Sequence, residues 1–247
     1  MALQSETGHA KNLANFKELI TVIKTFGAQY QPMADALKIP NLEAQATQAD
    51  QALAQLKQAE TSAKQATATL QEHFKPLNTL SSQIMGLLKS SGAKTSSIEE
   101  AKAIQKIITG SNSKKKKRET ATDASETTKV TRSQSRQSYD SRLDNFNKLI
   151  TVLQNISEYK PNEDAFKIIN LQAKAQAMQQ AIQDNDLKEQ IRSQAMNHRN
   201  TLLYSIDTGI VDTGLKVKEY IKAIFGGVKS LQFKAVSKIK FNTLKTK

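Results

Sequence analysis

Part of this chain occurs twice, and that constrains its fold more than any other feature. Asn15-Phe16-Lys17-Glu18-Leu19-Ile20-Thr21-Val22-Ile23 recurs as Asn145-Phe146-Asn147-Lys148-Leu149-Ile150-Thr151-Val152-Leu153, with six of the nine positions identical. At the same offset of 130, Leu13, Phe16, Leu19, Ile20, Ile23 and Phe26 map onto Leu143, Phe146, Leu149, Ile150, Leu153 and Ile156. Every member is apolar, at the spacing of one face of an amphipathic helix. One residue later drops out, and Tyr30, Pro32 and the run Asp35–Leu42 then match Tyr159, Pro161 and Asp164–Leu171. A repeat of this length marks a supersecondary unit used more than once.

The residues around the repeat set the class. Gly numbers 9 and Pro 4, too few to turn a many-stranded sheet, and Ala, Gln, Lys and Leu favour helix. Trp is absent and aromatics make up 5%, so the core is expected to be aliphatic. The expectation is an all-α protein of two tandem, internally duplicated helical-bundle units joined by a flexible basic linker. The expected ranges are 1–110, a disordered linker over 111–138, 139–226, and a basic tail over 227–247. Each unit reads as about four helices.

Asn41 and Asn170 stand where an N-cap is wanted before a second periodic segment. In the first copy that segment carries Leu42, Ala49, Leu56, Ala63 and Leu70 at seven-residue steps and runs to about His73. In the second copy Asp184-Asn185-Asp186 interrupts it, and Asp186-Leu187-Lys188-Glu189 reads as a restart. Gly110 and Gly226 pair at an offset of 116 rather than 130, which predicts a second long helix broken or shortened by about four turns. The last helices would then start at Ser96-Ser97 and Asp212-Thr213 as N-caps and stop at the two glycines.

Charge is unevenly placed. Of the net +13, residues 1–110 carry +2, 111–140 +4, 141–200 +1 and 201–247 +6. The helical bodies are nearly neutral, and the basicity belongs to the linker and the tail. Lys114, Lys115, Lys116, Lys117 and Arg118 form a run that reads as a solvated linker, a site for acidic surfaces or, in a eukaryotic setting, a nuclear import signal. In the tail, Lys229, Lys234, Lys238 and Lys240 alternate with Phe233 and Phe241, a pattern that suits phosphate backbones or anionic lipid. It better suits a core of aromatics with lysines outside. No Arg follows Arg199, which argues against reading guanine edges.

Catalytic chemistry is hard to place. Cys is absent, removing thiolate nucleophiles and thiolate metal sites. Ile206-Asp207-Thr208-Gly209 and Val211-Asp212-Thr213-Gly214 resemble the aspartic-protease element, but that chemistry needs carboxylates from two lobes sharing a proton. Asp212-Thr213 as a helix cap is the better reading. His9, His73 and His198 lack metal-ligand spacing, and His73 and His198 read as equivalent helix-end residues. No phosphate-cradling glycine loop is present. No enzyme, no cofactor and no small-molecule substrate are expected. MALQSETGHAKN shows no signal-peptide pattern and no apolar run reaches about 18 residues, so a cytoplasmic protein is the default.

The Asn-Phe-x-x-Leu-Ile-Thr-Val starts at Asn15 and Asn145 and the segment from Phe225 to Phe241 resemble parts of bacterial all-helical proteins of no assigned function. The resemblance implies a helical fold and brings no site residue with it. The expected role is a structural or protein-interaction module, with a protein partner or a second copy as ligand and the Ala/Gln-rich long helix as the contact surface. The alternative is a non-specific binder of nucleic acid or acidic membrane through the basic linker and tail.

Overall fold

The computed structural model describes residues 6–110 and 138–243, and among these it is all helical with no strand. In chain order the helices are α1 (Glu6–Lys24), α2 (Ile39–Phe74), α3 (Leu77–Ser90), α4 (Thr95–Thr109), α5 (Tyr139–Gln154), α6 (Ile168–Tyr204), α7 (Ile210–Ile224) and α8 (Leu231–Ser237). The basic linker expected over 111–138, with Lys114 to Arg118, lies outside the described residues except for Ser138. That residue caps α5, its hydroxyl accepting from the Ser141 N–H.

Several expectations about helix ends need correction. α6 is continuous over 37 residues, as long as the 36-residue α2, so no turns are lost and no restart occurs at Asp186. α6 contains neither Gly nor Pro. Three weak helix formers cost about 0.5 kcal/mol each, which a long cooperative helix absorbs. Asn185 also gains a bond, its carbonyl accepting from the Thr67 hydroxyl at 2.9 Å. Asn41 and Asn170 are not N-caps. Each lies inside the first turn and donates its side-chain amide back to the carbonyl of Asp35 (2.7 Å) or Asp164 (2.6 Å). Nor do Ser96-Ser97 and Asp212-Thr213 cap, because α4 and α7 begin earlier, after Lys94 and Gly209.

In the pattern of its buried face α7 matches α3, not α4. Buried residues occupy positions 1, 4, 5, 8 and 12 of both: Leu77, Leu80, Ser81, Ile84 and Leu88 in α3, and Ile210, Thr213, Gly214, Val217 and Ile221 in α7. Each is followed by a glycine with positive φ, Gly92 or Gly226. At the end of α7 the Gly227 N–H bonds the Lys222 carbonyl, the longer of the two Schellman hydrogen bonds. Gly110, at φ 74°, ends α4 as expected.

Two compact units form, one of Met1–Ala63 with Lys188–Lys247 and the other of Lys64–Leu187. Neither coincides with 1–110 or 139–226, since α2 and α6 each begin in one unit and end in the other. At 1.5 Å per residue such helices are about 54 Å long, more than one small bundle can cover.

The first unit packs α1 against the start of α2, the end of α6, and α7–α8. Its core holds Leu13, Phe16, Leu19, Ile20 and Ile23 with Leu42, Ala49, Leu203, Val217, Ile221 and Val236. The second packs α5 with the start of α6, the end of α2, and α3–α4. Its core holds Leu143, Phe146, Leu149, Ile150 and Leu153 with Leu70, Phe74, Ile84, Leu88, Ile108, Leu171 and Met178. Corresponding polar contacts recur. The Tyr30 hydroxyl donates to the Leu37 carbonyl (2.8 Å), and the Tyr159 hydroxyl to the Phe166 carbonyl (3.1 Å). Burial raises the pKa of both phenols, that of Tyr159 to about 12.

Phe16 and Phe146 are both fully buried. Phe16→Ala and Phe146→Ala are each expected to destabilise by roughly 3–5 kcal/mol in chemical denaturation. A small cost for one and a large cost for the other would show that the two stripes do unequal work.

Candidate interaction surfaces

The most specific side-chain constellation in the first unit holds the C-terminal segment. Ser230 caps α8, its hydroxyl accepting from the Phe233 N–H at 3.2 Å. Past α8 the chain is held by the side chains of α1 and α7. The Asn12 amide reads the Asn242 backbone twice, donating to its carbonyl (2.8 Å) and accepting from its N–H (2.9 Å). Asn15 donates to the Lys240 carbonyl at 2.6 Å, and the Lys218 ammonium donates to the Ile239 carbonyl.

Phe241 lies edge-on to Phe16 at 6.4 Å and beneath Lys218, whose ammonium is 5.3 Å from the ring centroid. Desolvation lowers the pKa of that lysine. The ring fits because residue 214 has no Cβ: one built there would meet the ring at 2.6 Å. Asn12 also donates to the Tyr204 hydroxyl (3.2 Å), which lies 2.6 Å from His9 Nδ1. His9 and Asn12 are buried. Asn15, Phe16, His9, Gly214 and Phe241 stood out in the sequence for other reasons, whereas Asn12 and Tyr204 did not stand out. The available signal was Asn12, one helical turn before Phe16 on the apolar face of α1.

Alternation along the docked segment turns Ile239 inward and leaves Lys238 and Lys240 exposed. Lys229 and Lys234 are exposed as well. These four lysines form no ion pair among the described residues, whereas Lys17, Lys24, Lys38, Lys167, Lys216 and Lys222 each pair with a carboxylate. Of the basic residues singled out from sequence, the tail group is thus exposed on the first unit. The Lys114–Arg118 group lies outside the described residues.

The first Asp-Thr-Gly element forms the turn between α6 and α7, and the second lies in the first turns of α7. The Asp212 carboxylate accepts from the Asp207 N–H at 3.0 Å, and Lys216 bridges Asp207 (2.6 Å) and Asp212 (3.1 Å). Hydrogen bonds to Asp207 and Asp212 raise the pKa of Lys216. A lysine lying between two carboxylates takes the place a shared proton would need. Asp207 takes a positive φ of 68°, which Asp tolerates in tight turns.

His73 and His198 are not equivalent. His73 is the penultimate residue of α2, while His198 sits six residues before the end of α6. Among the described residues no group of three or more His, Asp or Glu could hold a metal ion, and no helix is long and apolar enough to cross a membrane.

The stripe of α2 expected as a contact surface is already used within the chain: Leu42, Ala49, Leu56, Ala63 and Leu70 are all buried. What α2 leaves open in the first unit is a groove of about 540 Å³ against α6, lined by Gln55, Gln58, Ala59 and Ser62 opposite Ile191, Ala195 and His198. On the α6 side no residue from Lys188 to His198 is buried.

Gly214→Ala is expected to expel Phe241, making the segment after α8 protease-sensitive and lowering stability. With Phe241→Ala in the background the sign should reverse, since Gly→Ala inside a helix gains about 1 kcal/mol. Equal effects in both backgrounds would mean that the ring does not occupy that slot. Comparison with protein-family models, with curated proteins and with solved structures finds no match.

Proposed function

We propose that this chain is a non-catalytic helical scaffold, acting in the cytoplasm by surface contact and associating with a second copy of itself. On this reading it arose by duplication of one helical motif, with the helices after each long helix exchanged between the copies. Support for the exchange is that each compact unit joins the first helix of one copy to the later helices of the other.

The observation that carries the contact role is the open groove between α2 and α6 in the first unit. A helix of eleven consecutive residues without a buried side chain gains little from its own fold there. Ala59, Ser62 and Ala195 are small enough to admit a close helix, and Ile191, 40% exposed, offers an apolar anchor. Two such grooves meeting about a two-fold axis would make a self-complementary interface. The polar groups that could suggest chemistry are spent on structure, His9 on Tyr204 and Asp207 with Asp212 on Lys216.

A second reading, binding to anionic surfaces, is favoured by the four exposed tail lysines, which form no ion pair among the described residues. Light scattering separates the two. The scaffold reading expects a dimer at micromolar concentration that is insensitive to salt and to replacement of Lys114–Lys117 by Ser, and that Ile191→Glu converts to monomer. A monomer at every concentration, or a dimer indifferent to Ile191→Glu, would refute it.

A further inference from the structure

After Glu219 the chain contains no acidic residue, while lysines stand at 222, 229, 234, 238, 240, 245 and 247. A stretch of one sign is normally solvated, and here something else is displayed with it. Ile224, Val228 and Leu231, around the turn between α7 and α8, are 42%, 58% and 79% exposed.

Helical spacing sorts the faces of α8. Val236 is buried and Phe233 half-buried, whereas Leu231, Lys234, Ala235 and Lys238 are all exposed. Their spacing of i, i+3, i+4 and i+7 puts them on one side of the helix. The outward face of α8 therefore carries a large aliphatic side chain in line with Lys234 and with Lys238 at its C-cap. Lys229 lies in the turn beside it, and Lys240 lies in the segment anchored through Asn12 and Asn15.

We propose that this face docks on an anionic lipid surface, with Leu231 and Val228 entering the interfacial region and Lys229, Lys234, Lys238 and Lys240 lying over acidic headgroups. The inference rests on the anionic-surface reading and selects lipid within it. Nucleic acid would reward exposed aromatic rings or Arg. The aromatics here are turned inward: Phe225 is edge-on to Phe26 at 5.4 Å, and Phe241 fills the slot at Gly214. Exposed aliphatic side chains gain nothing against a phosphate backbone, but they do gain in a bilayer interface. Each lysine near an acidic membrane strengthens partitioning about five-fold, an effect that salt screens.

The test titrates the full chain with vesicles of phosphatidylcholine alone, with vesicles containing phosphatidylserine, and with a duplex DNA oligonucleotide, at low and physiological salt. Binding is expected on the phosphatidylserine vesicles and not on phosphatidylcholine alone. The double variant Lys234→Ser/Lys238→Ser should weaken it about 25-fold. Leu231→Ser should weaken vesicle binding roughly ten-fold and leave DNA binding unchanged. Because the substituted side chains are exposed, circular dichroism should match the parent protein.

Vesicle binding that ignores Leu231→Ser, or that needs no acidic lipid, would overturn the proposal. Salt-steep DNA binding without vesicle binding would overturn the lipid assignment and keep the anionic-surface reading. Binding to neither would remove both.

Discussion

The structure depends on the two long helices being longer than any core they could fill alone. α2 and α6 span about 54 Å each, and their apolar residues fall into two sets. Leu42, Ala46 and Ala49 serve the core around Phe16; Leu70 and Phe74 serve the core around Phe146. α6 divides in the same manner, Leu171, Ala175 and Met178 at its start and Leu203 near its end. Each first helix is therefore completed by helices from the far side of the linker: α1 meets α7 and α8, and α5 meets α3 and α4.

How much of this was legible in the sequence varies by element. The stripes Leu13–Phe26 and Leu143–Ile156 were readable because both copies keep an apolar residue at each position, and all but the half-buried Phe26 are buried. The Tyr30 and Tyr159 corners were visible as aligned residues, though their hydroxyl partners were not. The later helices were misaligned because terminators were matched in place of faces. Gly110 and Gly226 both end helices, but α7 shares its buried face with α3. The relation is hidden because Leu80 and Ser81 are answered by Thr213 and Gly214. Gly214 is small for a local reason, since the Phe241 ring needs the space.

The candidate surfaces were legible in kind and not in place. Ile239 and Phe241 alternate with lysines as in an extended segment, and Asn12, Asn15 and Lys218 hold it so that the lysines face outward. Single-chain periodicity cannot find Asn12 and Asn15, because they lie more than 200 residues away along the chain. The Asp-Thr-Gly pair shows the converse. It looked like chemistry, and it is a turn clamped by Lys216.

The claim on which the account turns is that both compact units are built from chain on both sides of residues 111–137. Cleavage at a protease site placed within that segment, followed by size-exclusion chromatography and thermal unfolding, tests it most directly. The account predicts that the two fragments stay together under native conditions, elute as the uncut protein does, and separate only on unfolding. Fragments that part without denaturant, each still helical and folding alone, would contradict it and restore two independent tandem bundles.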